Sequence, residues 1–95
     1  MFNSQKILED FPILQEKNNG KKFIYLNNAA TTQKPRQVIQ AISDFYSKTY
    51  GSVHRGMSRI SAQATELFDK SHEKIGKFVN ANDGETIFTK NTTES

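Results

Sequence analysis

The stretch Glu85-Thr86-Ile87-Phe88-Thr89-Lys90, followed directly by Asn91-Thr92-Thr93-Glu94-Ser95, places the tightest limits on the fold of this chain. Its pattern predicts a β-strand that runs straight into the first turn of a helix. Asn91 suits the N-cap, and Glu94 stands three residues on, where a capping-box partner belongs. A strand-to-helix junction of this kind leaves backbone N–H groups free at the positive end of a helix dipole, which favours an anion. The two adjacent threonine hydroxyls add donors. Glycine-rich spacing of the nucleoside-triphosphate type is absent, so a nucleoside-triphosphate loop is disfavoured.

Upstream, the chain alternates elements in a way that suits one class of architecture. Ser4 is a candidate cap for a short helix carrying Ile7, Leu8 and Phe11, stopped at Pro12. The segment Asn18-Asn19-Gly20 is a turn signal. Phe23-Ile24-Tyr25-Leu26 is an apolar, aromatic run suited to a buried strand, and it ends in the small polar segment from Asn27 to Thr32. Pro35 fits the first residue of a helix whose apolar face is Val38, Ile39, Ile42, Phe45 and Tyr46, with Gly51 as its stop. Ser52 to Ile60 shows neither helical nor strand period and reads as a loop in which Gly56 allows an unusual backbone angle. A long amphipathic helix follows over 61–79, striped by Ala64, Leu67, Phe68, Ile75, Phe78 and Val79. Asn80 to Gly84 is a turn, and the final strand comes next. Strand, helix, loop, helix, strand is the opening of an α/β fold with crossover helices.

Two strands make a poor sheet, and composition does not compensate. Of 95 residues, 35% are hydrophobic and 24% charged, with mean hydropathy −0.69. That is ordinary soluble composition, somewhat lean in apolar residues. The expectation is an N-terminal piece of a larger α/β protein, poorly folded when made alone. Residues 1–22 are expected to form an N-terminal helix and linker, and residues 23–95 the truncated beginning of a larger domain, which the resemblance described below makes the large cofactor-binding domain.

Charge and cysteine usage narrow the function. The 13 basic and 10 acidic residues leave a net charge of +3. The bases are scattered and never run beyond two, so a nucleic-acid footprint is disfavoured. There is no cysteine, which removes disulfides, zinc-thiolate sites and a thiol nucleophile from these residues. No run is apolar enough for a membrane span, and Met1 to Lys6 lacks the layout of a signal peptide. The expected compartment is the cytoplasm. His54 and Arg55 combine a titratable imidazole with a fixed guanidinium beside Gly56, a pairing suited to a carboxylate or phosphate. His72 shares the polar side of its helix with Asp69 and Glu73 and reads as structural or simply solvated. Ala29-Ala30 leaves room for a ligand against the main chain.

In order along the chain, Asp10-Phe11-Pro12-Ile13-Leu14, the run Tyr25 to Thr31, Gln33-Lys34-Pro35, Val53-His54-Arg55-Gly56, the run Ser61 to Glu66, and Thr92-Thr93-Glu94 resemble the N-terminal part of a cysteine desulfurase. The resemblance is to the class V aminotransferase group, in the branch that serves iron–sulfur assembly. It implies an aspartate aminotransferase-like transferase fold with an incomplete sheet, and pyridoxal 5'-phosphate as cofactor. It further implies L-cysteine as substrate, with L-alanine and an enzyme persulfide as products, a homodimer when full length, and a sulfur-acceptor protein as partner. By the same resemblance Thr93, helped by Thr92, holds the cofactor phosphate; Ala29 and Ala30 lie near the substrate; and His54 and Arg55 lie by the active site and dimer interface. Asn27 stands where the family usually has Asp, and Asn91 where it usually has Gly. The Schiff-base lysine and catalytic cysteine are expected beyond Ser95, so these 95 residues alone should be inactive. The alternatives are a selenocysteine lyase or another class V enzyme, and a small non-catalytic binding module.

Overall fold

In the computed structural model, which describes residues 3–95, the order is α1 (Ser4–Glu9), a 3-10 turn (Pro12–Gln15), β1 (Lys17–Asn18), β2 (Lys21–Lys22), α2 (Arg36–Asp44), a π turn (Phe45–Thr49) and α3 (Arg59–Val79). By internal contacts the chain divides into two compact units, the first ending at Tyr46 and the second beginning at Ser47.

The first unit is assembled from short elements pinned by polar bonds. Helix α1 starts one residue earlier than expected, because Asn3 rather than Ser4 accepts the Lys6 amide. β1 and β2 pair antiparallel, Lys17 opposite Lys22 and Asn18 opposite Lys21. Asn19 and Gly20 between them both take positive φ, 51° and 76°, the backbone that a tight two-residue hairpin demands. Pro35 caps α2 from an extended conformation. The Arg36 amide donates to the Asp10 carbonyl at 2.7 Å, and Gln37 Nε2 donates to the Asp10 carboxylate at 3.0 Å. The start of α2 is thus fastened to the end of α1.

Phe23–Leu26, expected as a buried strand, forms no ladder. Phe23 and Tyr25 are half-buried with their rings 6.3 Å apart, while Ile24 and Leu26 are 74% and 91% exposed. The inward–outward alternation of a strand survives; the Phe23 amide donates to the Glu16 carbonyl at 3.3 Å, one bond beyond the hairpin, and Ile24 to Leu26 have no neighbour to pair with among the described residues. The segment 85–90 behaves likewise, with no ladder and Ile87 82% exposed. The only sheet among the described residues is the β1–β2 hairpin.

The second unit is organised by α3. Ser58 caps it, accepting the Ser61 amide at 3.2 Å. At its far end Asn80 turns left-handed, φ 58°. The Ala81 amide then returns to the Gly76 carbonyl and the Asn80 amide to the Lys77 carbonyl, a Schellman ending that satisfies carbonyls the helix leaves open. The residues α3 buries are small: Ser61, Ala64 and Gly76. Small side chains let flanking backbone lie close, and a Cβ on Gly76 would meet Thr86 Oγ1 at 3.1 Å. The expected apolar stripe is present, but Leu67, Phe68, Ile75, Phe78 and Val79 are exposed. No large side chain is fully buried, so the described residues do not close a core.

The open face of α3 is braced by charge. Lys70 bonds Glu66, and Lys77 bonds Glu73, each at i,i+4 spacing. Those lysine hydrogen bonds, and then their charge, hold both glutamates below the ordinary 4.5. Donors from Asn82, first its side chain and then its backbone, lower Glu85 in the same way. A carboxylate whose folded pKa is depressed contributes stability above its unfolded value, and that contribution is lost as pH falls through the folded value. Helix content measured by far-ultraviolet dichroism is therefore predicted to hold on the neutral side of 4.5 and to fall below it. Glu73→Gln should shrink the acid-side fall, and an unchanged fall would remove this pair from the account.

Candidate functional site

The turn that ends the chain is built as its residues dictate. Asn91 Oδ1 accepts the Glu94 amide at 2.9 Å, which is the N-cap bond. The Glu94 carboxylate reaches back to the Lys90 amide at 2.6 Å, one residue upstream of the usual capping-box target. The Ser95 amide donates to the Asn91 carbonyl at 3.2 Å, closing one helical turn. Thr89 Oγ1 lies 2.6 Å from Ser95 Oγ and ties the approach segment to that turn. The amides and hydroxyls of Thr92 and Thr93 have no hydrogen-bond partner among the described residues, and both residues are exposed. Free amides and hydroxyls on a capped turn are the donor set that a phosphate requires.

His54 and Arg55 lie in a turn over residues 53–55. The left-handed backbone expected at Gly56 occurs at His54 instead, with φ 61°. For a residue with a Cβ this conformation costs roughly 1–2 kcal/mol. Contacts with α3 hold it there. The His54 amide donates to Thr65 Oγ1 at 2.9 Å, Thr65 Oγ1 donates to the Ser61 carbonyl at 2.8 Å, and the imidazole meets the Phe68 ring edge-on at 5.6 Å. His54 Nε2 stands 3.4 Å from Asp69 Oδ1. Gly56 is needed for a different reason than its backbone angle: a Cβ there would lie 2.0 Å from Ser61 Oγ and 2.3 Å from Ser61 Cβ. The Arg55 guanidinium is exposed, with no partner among the described residues.

Of the structural and solvated roles its sequence context allows, His72 takes the structural one. It is half-buried, its ring is stacked on Phe88 at 4.1 Å and tilted against Phe68 at 4.5 Å. His54, Phe68, His72 and Phe88 therefore form a continuous row along α3. One end of the row is the His54 turn, and the other is the segment that leads into the Asn91–Ser95 turn. No bond or ring contact joins His54 directly to Thr92 or Thr93. Sequence reasoning missed this use of His72 and of Asp69. The available signal was the spacing Thr65, Phe68, Asp69, His72, which is one helical face.

Ala29 and Ala30 belong to the first unit. They sit in a turn over 28–30, closed by the Ala30 and Thr31 amides donating to the Asn27 carbonyl at 3.1 and 3.3 Å. The Tyr25 hydroxyl donates to the Thr31 carbonyl at 2.6 Å and lies 3.1 Å from that of Asn27. Both alanines are exposed. A cavity of about 150 Å³ adjoins the turn, lined by Phe11, Leu14, Tyr25, Asn28, Thr32 and Gln33.

Comparison with known proteins identifies the family. The aminotransferase class-V family pattern matches residues 24–95. The chain is 43% identical over 97 residues to a probable cysteine desulfurase of Streptomyces coelicolor, covering 100% of this chain and 23% of that protein. It is 46% identical over 94 residues to a cysteine desulfurase of Salmonella newport, covering 98% of this chain and 23% of that protein. The apo structure of cysteine desulfurase from Thermococcus onnurineus NA1 superposes with a TM-score of 0.85 at 34% identity, over 99% of this chain and 22% of that one. The chain thus spans about a quarter of the length of the relatives it matches. It belongs to the aminotransferase class V family. Enzymes of that family depend on pyridoxal 5'-phosphate, and its α/β fold is the one this chain begins.

Proposed function

We propose that this chain is the N-terminal part of a pyridoxal-phosphate-dependent cysteine desulfurase, which takes sulfur from L-cysteine and leaves L-alanine and an enzyme persulfide. The observation that carries the proposal is collinear identity of 43–46% to cysteine desulfurases over 98–100% of the chain. The complete enzyme is a cytoplasmic homodimer in this reading, passing sulfur to an acceptor of an iron–sulfur assembly system. The 95 residues alone are inactive.

The residues at hand fit the cofactor's phosphate end. Thr92 and Thr93 would hold the phosphate through their free amides and hydroxyls. Asn91 and Glu94 keep that turn wound and so keep the donors aimed. When bound, the cofactor supplies an electron sink for bond breaking at the substrate's carbon framework. In the first unit Ala29 and Ala30 leave the main chain open to a ligand; in the second, Arg55 offers a fixed cation to a carboxylate. His54 offers an imidazole at a fixed backbone position.

The test is turnover by the full-length protein, loaded with cofactor and given L-cysteine and a thiol reductant. Alanine and sulfide should appear in equal amounts, and the 95-residue chain should yield neither. Turnover of selenocysteine with no alanine from cysteine would move the protein to the selenocysteine lyases. No turnover of either would end the desulfurase reading.

A further inference from the structure

The segment 85–90 pairs with no strand among the described residues, yet it is held on α3 at two points. Gly76 is buried, and a Cβ there would meet Thr86 Oγ1 at 3.1 Å, so Thr86 lies directly over it. One turn back along the helix, the His72 ring stacks on Phe88, with centroids 4.1 Å apart and 23° between the planes. Between these contacts Ile87 is 82% exposed. Four residues of helix rise about 6 Å, and two residues of extended chain cover about 6.6 Å. The two spacings match. Thr86 over Gly76 and Phe88 over His72 therefore set one register, with the segment running back along α3. Residues 82–85 reverse the chain for this: the Glu85 carboxylate accepts the Asn82 amide at 2.7 Å and the Asn82 side chain at 2.9 Å.

The His72 ring is itself fixed. It is half-buried, its Nδ1 donates to the Phe68 carbonyl at 3.1 Å, and the Phe68 ring lies against it at 4.5 Å. A ring held by a hydrogen bond and a neighbouring ring offers Phe88 a face of set direction. Directly after Phe88 the chain is one bonded unit. The Lys90 amide donates to the Glu94 carboxylate at 2.6 Å, and Thr89 Oγ1 lies 2.6 Å from Ser95 Oγ. Both bonds tie the Asn91–Ser95 turn to the two residues that follow Phe88. What locates Phe88 on α3 thus locates the turn.

We propose that His72 is a positioning residue: by stacking on Phe88 it fixes where the Asn91–Ser95 turn stands along α3, and so where the Thr92 and Thr93 donors meet a phosphate ester. The effect on ligand rests on the phosphate reading of that turn; the placement of the turn does not. Gly76 supplies the second point of attachment, and two points stop the segment from pivoting about either one. His72 acts here through its ring face, so another aromatic side chain can serve in its place.

The experiment follows the threonine methyl groups of the full-length protein by carbon-13 NMR, with Thr65, Thr92 and Thr93 assigned by substitution. His72→Ala should displace the Thr92 and Thr93 signals and leave that of Thr65, which reports an intact α3. Phe88→Ala removes the same contact from the other side and should displace the same two signals. His72→Phe keeps a ring over Phe88 and should return them. In titrations with pyridoxal 5'-phosphate and with pyridoxal, His72→Ala should lose roughly 2- to 10-fold of the wild-type preference for the phosphorylated compound, the worth of one aromatic stack. His72→Phe should recover it. A general loss of stability would weaken both compounds alike. Thr92 and Thr93 signals unmoved in both alanine variants would overturn the proposal, as would a displacement that His72→Phe does not reverse. So would an undiminished preference in His72→Ala. A wild type with no preference for the phosphorylated compound would instead count against the phosphate reading, and the methyl signals would still decide whether His72 places the turn.

Discussion

Gly56→Ala should cost the full-length protein about 3 kcal/mol, the upper end of the usual range for overpacking. The added methyl has nowhere to go. It would sit 2.0 Å from Ser61 Oγ and 2.3 Å from Ser61 Cβ, well inside any van der Waals separation. Ser61 cannot yield easily, since it is buried in the first turn of α3. Its amide bonds the Ser58 cap, and its carbonyl accepts from Thr65. Either the loop moves away, breaking the His54 amide bond to Thr65, or α3 loses its cap. The second-site change Ser61→Gly removes both clashing atoms and should recover most of the loss, less the roughly 0.5–1 kcal/mol that glycine costs in a helix. Urea denaturation of the single and double variants measures both. A single variant within experimental error of wild type would mean that the loop does not approach Ser61 as described.

That result would also separate two readings of one glycine. From the sequence, Gly56 suggests a positive φ. In the structure the positive φ belongs to His54 and Gly56 is a contact point, because what decides the matter is a helix packed against the loop. What was legible in the chain was local. The turn at Asn18-Asn19-Gly20, the cap at Asn91, the turn after Val79 and the extent of α3 depend on residues within about one turn of each other, and each appears where the pattern puts it to within two residues. Phe23–Leu26 and 85–90 have strand composition, yet a ladder is made by a neighbour, and composition carries no information on whether one is present. The row through His54, Phe68, His72 and Phe88 was illegible for the same reason. Phe88 follows α3 by a turn of chain whose path no local pattern specifies.

The second large effect concerns the two threonines. A phosphate hydrogen bond from a neutral donor is worth about 1.5–3 kcal/mol, since the acceptor is charged. At 1.4 kcal/mol per tenfold in affinity, Thr93→Ala in the full-length protein should weaken pyridoxal 5'-phosphate binding by roughly 10- to 100-fold. Thr92→Ala should have a smaller effect of the same sign. The double variant should lose less than the sum of the two, because the turn's amides remain in place. Asn91→Ala acts differently. It removes the bond to the Glu94 amide, loosens the turn that aims both threonines, and should weaken cofactor while also lowering helix content.

The measurement that bears most directly on this account is a titration of the full-length apoenzyme, wild type and Thr92→Ala/Thr93→Ala, with pyridoxal 5'-phosphate and with pyridoxal, which lacks the phosphate. The turn is proposed as a phosphate seat. Wild type should therefore prefer the phosphorylated compound strongly, and the double variant should lose most of that preference while binding pyridoxal as before. Equal preference in the two proteins would contradict the account, because the Thr92 and Thr93 hydroxyls would then have no part in holding the phosphate.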